Sequence, residues 1–188
     1  MSHEEIIKTT QHWLEQAVIG LNLCPFAKAV YVKQQIRFVV SDAKHLDGFL
    51  EDLDRELDLL VQTPADEIDT TLLIHPTLFP DFEIFNDVQA LADDVVAEHE
   101  LEGILQVASF HPDFQFADTE IDDIGNYTNR APYPILHLLR EDSIAKAVEA
   151  FPNPDVIFER NIETLQKLGI AGWLALGLQA SRLQASQK

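Results

Sequence analysis

Leu105-Gln106-Val107-Ala108-Ser109-Phe110 and, after a long gap, Ile135-Leu136-His137-Leu138-Leu139-Arg140 decide how this chain folds. Both runs read as strands, the first beginning near Gly103. No helical pattern separates them, so the second is expected to return antiparallel to the first. Upstream the pattern alternates. Ser2 followed by Glu5 is a capping-box pattern, and Ile6, Thr10, Trp13, Leu14, Ala17, Val18 and Leu21 keep helical spacing, which predicts one helix over 4–20 ending at Gly20. Ile36 to Val40 is a strand, Leu46 to Leu60 an amphipathic helix, and Thr70 to Ile74 another strand. Pro80-Asp81 opens a third helix with Phe82, Phe85, Val88 and Ala92 on one side. Beyond residue 140, 142–150 reads as a short helix, and Asn153-Pro154 caps a last one that stops at Gly169.

Helices between strands favour right-handed crossovers and parallel pairing. The expected class is therefore α/β, with α+β the alternative. One globular domain over 1–188 is expected, built on a mixed four-stranded sheet with helices packed on it. Residues 179–188 are expected to fray. The apolar stretch from Ala171 to Leu178 either closes the core or forms a homo-oligomer patch.

Composition excludes several classes. Thirty-two Asp and Glu oppose 13 Lys and Arg, a net charge of −19, which argues against a phosphate backbone as partner and so against nucleic acid. The longest apolar run falls far short of the roughly 20 residues that span a bilayer, and Met1 to Glu5 is not the start of a secretory signal. A cytoplasmic protein without membrane partners is expected. Cys24 is the only cysteine, so no intrachain disulfide can form. Between Arg55 and Arg130 lie 74 residues with no Lys or Arg and 18 of the 32 acids. That segment is either a solvated acidic surface or a docking face for a basic protein.

The connection from His111 to Pro134 is long, and Phe114, Phe116, Tyr127 and Tyr133 with Pro132 and Pro134 give it a composition that packs. With parallel β-strands ending at His75 and His111, and an antiparallel one starting after Arg130, three imidazoles (His75, His111, His137) and a guanidinium are expected to converge at the carboxyl end of the sheet, where ligands of open α/β sheets bind. Three roles compete. His75, His111 and His137 are candidate ligands for zinc or another divalent metal, although no cofactor at all is the leading expectation. His111 is the candidate general acid/base. The bland alternative is that each His-Pro ends a strand with one structural hydrogen bond.

Arg130 in Asn129-Arg130-Ala131-Pro132-Tyr133-Pro134 sits beside a stiff turn suited to gripping a carboxylate or phosphate, with Asn129, Tyr133, His137 and Arg140 assisting. Its alternative is a salt bridge to Asp118, Glu120, Asp122 or Asp123. Those acids with Asp113 are also candidates for Mg²⁺ or Ca²⁺, without EF-hand spacing. Cys24 precedes Pro25, and at the N-cap of a helical turn it would be a candidate nucleophile, with packing as the alternative.

The segments Gly20 to Ala27, Phe110 to Ala117 and Asn129 to Pro134, with His137-Leu138-Leu139-Arg140-Glu141, resemble an uncharacterised bacterial family, domain of unknown function 1415. The resemblance covers nearly the whole chain and implies a bacterial cytoplasmic protein but no reaction. The leading functional expectation is a small-molecule hydrolase or transferase acting on an anionic metabolite, with Arg130 holding the anion and His111 moving a proton. The rivals are a non-enzymatic acidic module that docks a basic protein, and a histidine-ligated metalloprotein.

Overall fold

The computed structural model describes residues 1–150 and 154–178. Ser2 caps α1 (His3–Trp13) by the expected box: its Oγ accepts from the Glu5 amide at 3.3 Å and Glu5 Oε2 accepts from the Ser2 amide at 2.7 Å. Ile6, Thr10 and Trp13 are the buried stripe. The single helix expected over 4–20 is not uniform, because Leu14–Ile19 widens into a π-helix. Gly20 closes it, its amide donating to Glu15 O at 2.9 Å. A Cβ there would lie 2.4 Å from Gln16 O, so the wide turn requires glycine. A short helix, α2 (Ala27–Val32), leads into β1 (Ile36–Val40).

The next elements alternate. α3 (Leu46–Gln62) buries Phe49, Leu53, Leu57 and Leu60. β2 (Thr70–Ile74) is buried along its whole length. Asp81 caps α4 (Phe82–Glu98) by accepting from the Glu83 and Ile84 amides. β3 (Leu105–Phe110) is followed by a 3₁₀-helix at Ile124–Thr128 and by β4 (Ile135–Arg140). α5 (Glu141–Ala150) and α6 (Pro154–Ala175) complete the described chain. Gly169, at φ 65° and ψ 171°, leaves the helical conformation where the stop was expected, and a second helical stretch follows as far as Ala175. The cap expected at Asn153 and the tail expected at 179–188 lie outside the described residues.

The sheet is mixed, with strand order β1-β2-β4-β3. β1 and β2 are parallel, and β4 is inserted antiparallel between β2 and β3. Registers Ile74↔Ile135 and Phe110↔Ile135 bring the ends of β2 and β3 to the start of β4, as the strand directions require. The α/β architecture and four-stranded mixed sheet therefore match expectation. Two cores share the sheet: Leu72, Ile74 and Ile135 face α1 and α6, while Leu73, Leu136 and Leu138 face α3 and α4. This is the pleat at work, successive residues pointing to opposite faces. Trp173 and Leu178 join the first core, while Ile170 and Leu174 are exposed. No described helix is long and apolar enough to cross a membrane.

Candidate functional site

His75 and His111 follow β2 and β3 directly, and both rings are buried on the α3/α4 side. His75 Nε2–H donates to Ala43 O at 2.9 Å, while Nδ1 accepts from the amides of Leu78 at 2.8 Å and Thr77 at 3.3 Å. An amide can only donate, so the ring is a neutral Nε2–H tautomer with both nitrogens in use. Burial pushes its pKa below the ordinary value. His111 repeats the arrangement: Nε2–H donates to Phe79 O at 3.0 Å and Nδ1 accepts from the Asp113 amide at 3.0 Å. Its surroundings are the rings of Phe82 and Phe85, and it has no exposed surface.

His137 does not join them. Its register partners are Leu72 and Ala108, and it lies with Phe110 on the opposite, α1/α6, face. Its Nε2–H donates to Thr70 Oγ1 at 2.8 Å, and that hydroxyl donates to Leu138 O at 2.5 Å. Burial alone pushes its pKa down to about 4. The expected convergence of three imidazoles is thus corrected: the sheet itself separates His137 from the other two. Among the described residues no group of three or more His, Cys, Asp or Glu side chains is placed to hold a metal.

Arg130 does lie at this end, with its Nε and Nη2 bonded to main-chain carbonyls. Nε donates to Phe114 O at 3.2 Å and Nη2 to Ile121 O at 2.7 Å, with the guanidinium 4.2 Å above the Tyr127 ring. Carbonyls, not the expected carboxylates, receive it. The long connection is folded around this knot. Buried Asn126 accepts from the Phe116 amide and Thr119 hydroxyl and donates to Glu120 O. Tyr127 meets the edge of Trp173, and Trp13 Nε1–H donates to Arg130 O. Asn129 Nδ2 donates weakly to Ser109 O at 3.4 Å, and Tyr133 is buried beside Met1 Sδ.

Arg140 sits at the far end of β4, where it donates to the carbonyls of Leu60 and Thr63 at the end of α3 and to Ile68 O. A cation on the last carbonyls of a helix is favoured by the helix dipole. Cys24 is partly buried against the α1/α6 core, and the N-cap of α2 is Phe26, so the thiol is not at the helix terminus that was expected to activate it.

An open concavity among the described residues lies elsewhere. Between the edge strand β1 and α3 runs a cleft of about 400 Å³, whose lining includes Arg37, Val40, Asp42, Asp52, Arg55 and Glu56. Arg37 reaches under α3 to Glu56 in a two-pronged pair, Nε to Oε2 at 2.6 Å and Nη2 to Oε1 at 3.1 Å. Glu56 is only 4% exposed, and its bond to Arg37 holds that guanidinium charged. Asp52 accepts from the buried Ser41 hydroxyl at 2.5 Å and from Arg55. Arg37 and Arg55 are each held by a carboxylate, and both residues line the cleft.

Sequence reasoning did not single these residues out, although a signal exists. Arg37 interrupts the apolar run Ile36-Arg37-Phe38-Val39-Val40, and Glu56 falls on the buried stripe of α3 between Leu53 and Leu60. Opposite charges on two buried faces imply each other.

Fold and cleft define an α/β protein with an arginine-bearing groove at a sheet edge. The chain belongs to the family described as Protein of unknown function (DUF1415), which matches residues 5–175. No curated protein and no solved structure matches it.

Proposed function

We propose that this protein binds a small anionic molecule in the β1–α3 cleft, with Arg37 and Arg55 gripping the negative group. The carrying observation is the pre-set Arg37: Glu56, almost without solvent contact, fixes one side of the guanidinium and leaves the other toward an open groove. A buried ion pair is a poor device for stability alone, because desolvation offsets the attraction. A fixed, charged fork is a good device for meeting a carboxylate or phosphate. The anion-binding role expected of Arg130 is proposed here instead because Arg130 is bonded into its own connection, whereas Arg37 and Arg55 line an open cleft. Binding is what the cleft supports; the hydrolase or transferase step expected of His111 has no unengaged ring nitrogen to run on.

The test is a thermal-shift titration with inorganic phosphate, citrate and succinate. At least one is expected to raise Tm saturably, since a ligand that binds only the folded state stabilises it by mass action. Arg55→Ala should weaken that rise tenfold or more in apparent Kd, and Arg130→Ala should preserve it. A rise unchanged in Arg55→Ala, or no rise with any of the three anions, overturns the proposal.

A further inference from the structure

The connection that follows β3, the strand at the sheet edge opposite β1, carries a row of phenylalanines that the cleft does not use. Phe82 at the start of α4 meets Phe114 with ring centroids 4.9 Å apart, Phe114 meets Phe116 at 4.9 Å, and Phe116 meets Phe158 of α6 edge-on at 6.2 Å. Three segments of the chain thus build one aromatic ladder, and water still reaches it. Phe82, Phe114 and Phe116 are partly exposed, and Phe158 is 51% exposed. Ile121, 65% exposed, stands beside the ladder, because one guanidinium, that of Arg130, bonds the carbonyls of both Phe114 and Ile121. Apolar residues scattered singly over a surface are ordinary, whereas a contiguous set with a polar rim marks a contact surface. The backbone beneath is already fixed, since buried Asn126 accepts from the Phe116 amide and Arg130 holds Phe114, so docking would order little further chain.

The rim has one sign. Asp113, Asp118, Glu120 and Asp122 are exposed along the connection, and exposed Asp81 and Glu83 flank Phe82. Arg130 is the only Lys or Arg from His111 to Pro134, and its Nε and Nη2 are bonded to carbonyls inside that segment. Arg160, two residues beyond Phe158, is turned about 200° round the axis of α6 from it. A second copy of this chain would set the same acids against these, and a nucleic acid or an anionic lipid surface would be repelled likewise. A basic amphipathic segment matches both features. Its cations meet the acids and the faces of the rings, while its apolar side chains and alkyl stems cover the aromatic surface.

We infer that this ladder is a docking surface for a basic amphipathic segment of a partner protein, whose apolar side chains seat on Phe114, Phe116, Phe158 and Ile121 while its lysines or arginines reach the acidic rim. Laying one apolar face on such a surface is a common mode of peptide recognition, with aromatic residues supplying most of the affinity. The surface is separate from the β1–α3 cleft, and the inference stands or falls without the anion-binding reading.

The experiment titrates the full chain by calorimetry with a synthetic leucine–lysine peptide of about 14 residues, its leucines at amphipathic helical spacing. Two comparison peptides replace every lysine by glutamate or every leucine by serine. The leucine–lysine peptide should bind saturably, one per chain, and both comparison peptides at least tenfold more weakly. Phe158→Ser should weaken binding tenfold or more, and so should Glu120→Lys with Asp122→Lys, which leaves the rings untouched; circular dichroism checks that both variants stay folded. Equal binding of the leucine-free peptide would mean that acidity alone attracts it, and the inference falls. Unchanged affinity in either variant places the peptide elsewhere and overturns it too, as does the absence of binding. If the protein alone forms dimers in sedimentation velocity and Phe158→Ser dissociates them, the occupant is a second copy and the inference is wrong.

Discussion

At the carboxyl ends of β2 and β3, His75, His111 and Arg130 spend their polar atoms on main chain; in the β1–α3 cleft, Arg37, Glu56, Asp52 and Arg55 spend theirs on one another. The first region carries the features that draw the eye in the sequence: repeated His-Pro, a long aromatic connection and an arginine beside prolines. Those features mark places where the chain turns sharply and its amides and carbonyls lose their sheet partners. Imidazole and guanidinium groups replace those partners. The second region has no motif, yet its charges meet across two elements beside an edge strand and line an open cleft. Chemistry-bearing residue types near a strand end therefore call for a count of what they already bond.

The difference can be broken by substitution. His111→Ala should be the most damaging change, costing about 3 kcal/mol, because it leaves Phe79 O and the Asp113 amide unsatisfied in a buried place. Urea unfolding measures it, and a cost below about 1 kcal/mol would mean the ring is not a strut. Arg37→Met should follow at about 2 kcal/mol, since it strands Glu56 without a partner, and adding Glu56→Leu should restore most of the loss. Failure of that rescue in the same unfolding assay would show that the pair supports more than itself.

Acid should act through the histidines on the two faces of the sheet. His75 is held below its ordinary pKa of 6.5 and His137 is pushed down to about 4, both by burial. The unfolded chain therefore binds more protons than the folded one between about pH 4 and 6.5, so this contribution is whole above pH 6.5 and is lost as pH falls. From pH 7 to 5 the imidazole contribution should decline by about 1 to 2 kcal/mol. His137→Gln, which can still donate to Thr70, should flatten the profile of stability against pH; an unchanged slope would remove His137 from the account. The smallest contrast is between two exposed-side arginines. Arg130→Ala should cost about 1 kcal/mol through its carbonyl bonds and leave anion binding intact, while Arg55→Ala should change stability by less than about 0.5 kcal/mol and impair binding. Calorimetry on both variants, with and without citrate, reads the crossing.

Much of the fold was legible. The capping box at Ser2, the stripe Phe49-Leu53-Leu57-Leu60 and the β-branched or apolar strands are local patterns whose period matches the element they form. The missing helix between Phe110 and Ile135 announced the antiparallel return, and the registers agree. The π-helix at Leu14–Ile19 was not legible, because a backbone bond shifted by one residue changes little in the side-chain pattern.

The site divides differently. Sequence alone determined that His75, His111 and Arg130 would share one end of the sheet, since strand direction and length place them there. Only the tertiary structure decided that His137 is on the other face, that Arg130 is tied into its own loop, and that Arg37 finds Glu56 19 residues away under α3. The physical reason is range. Periodicity and turn chemistry act within a few residues and are written locally, whereas the partner of a polar group is set by which distant elements the hydrophobic cores bring against each other.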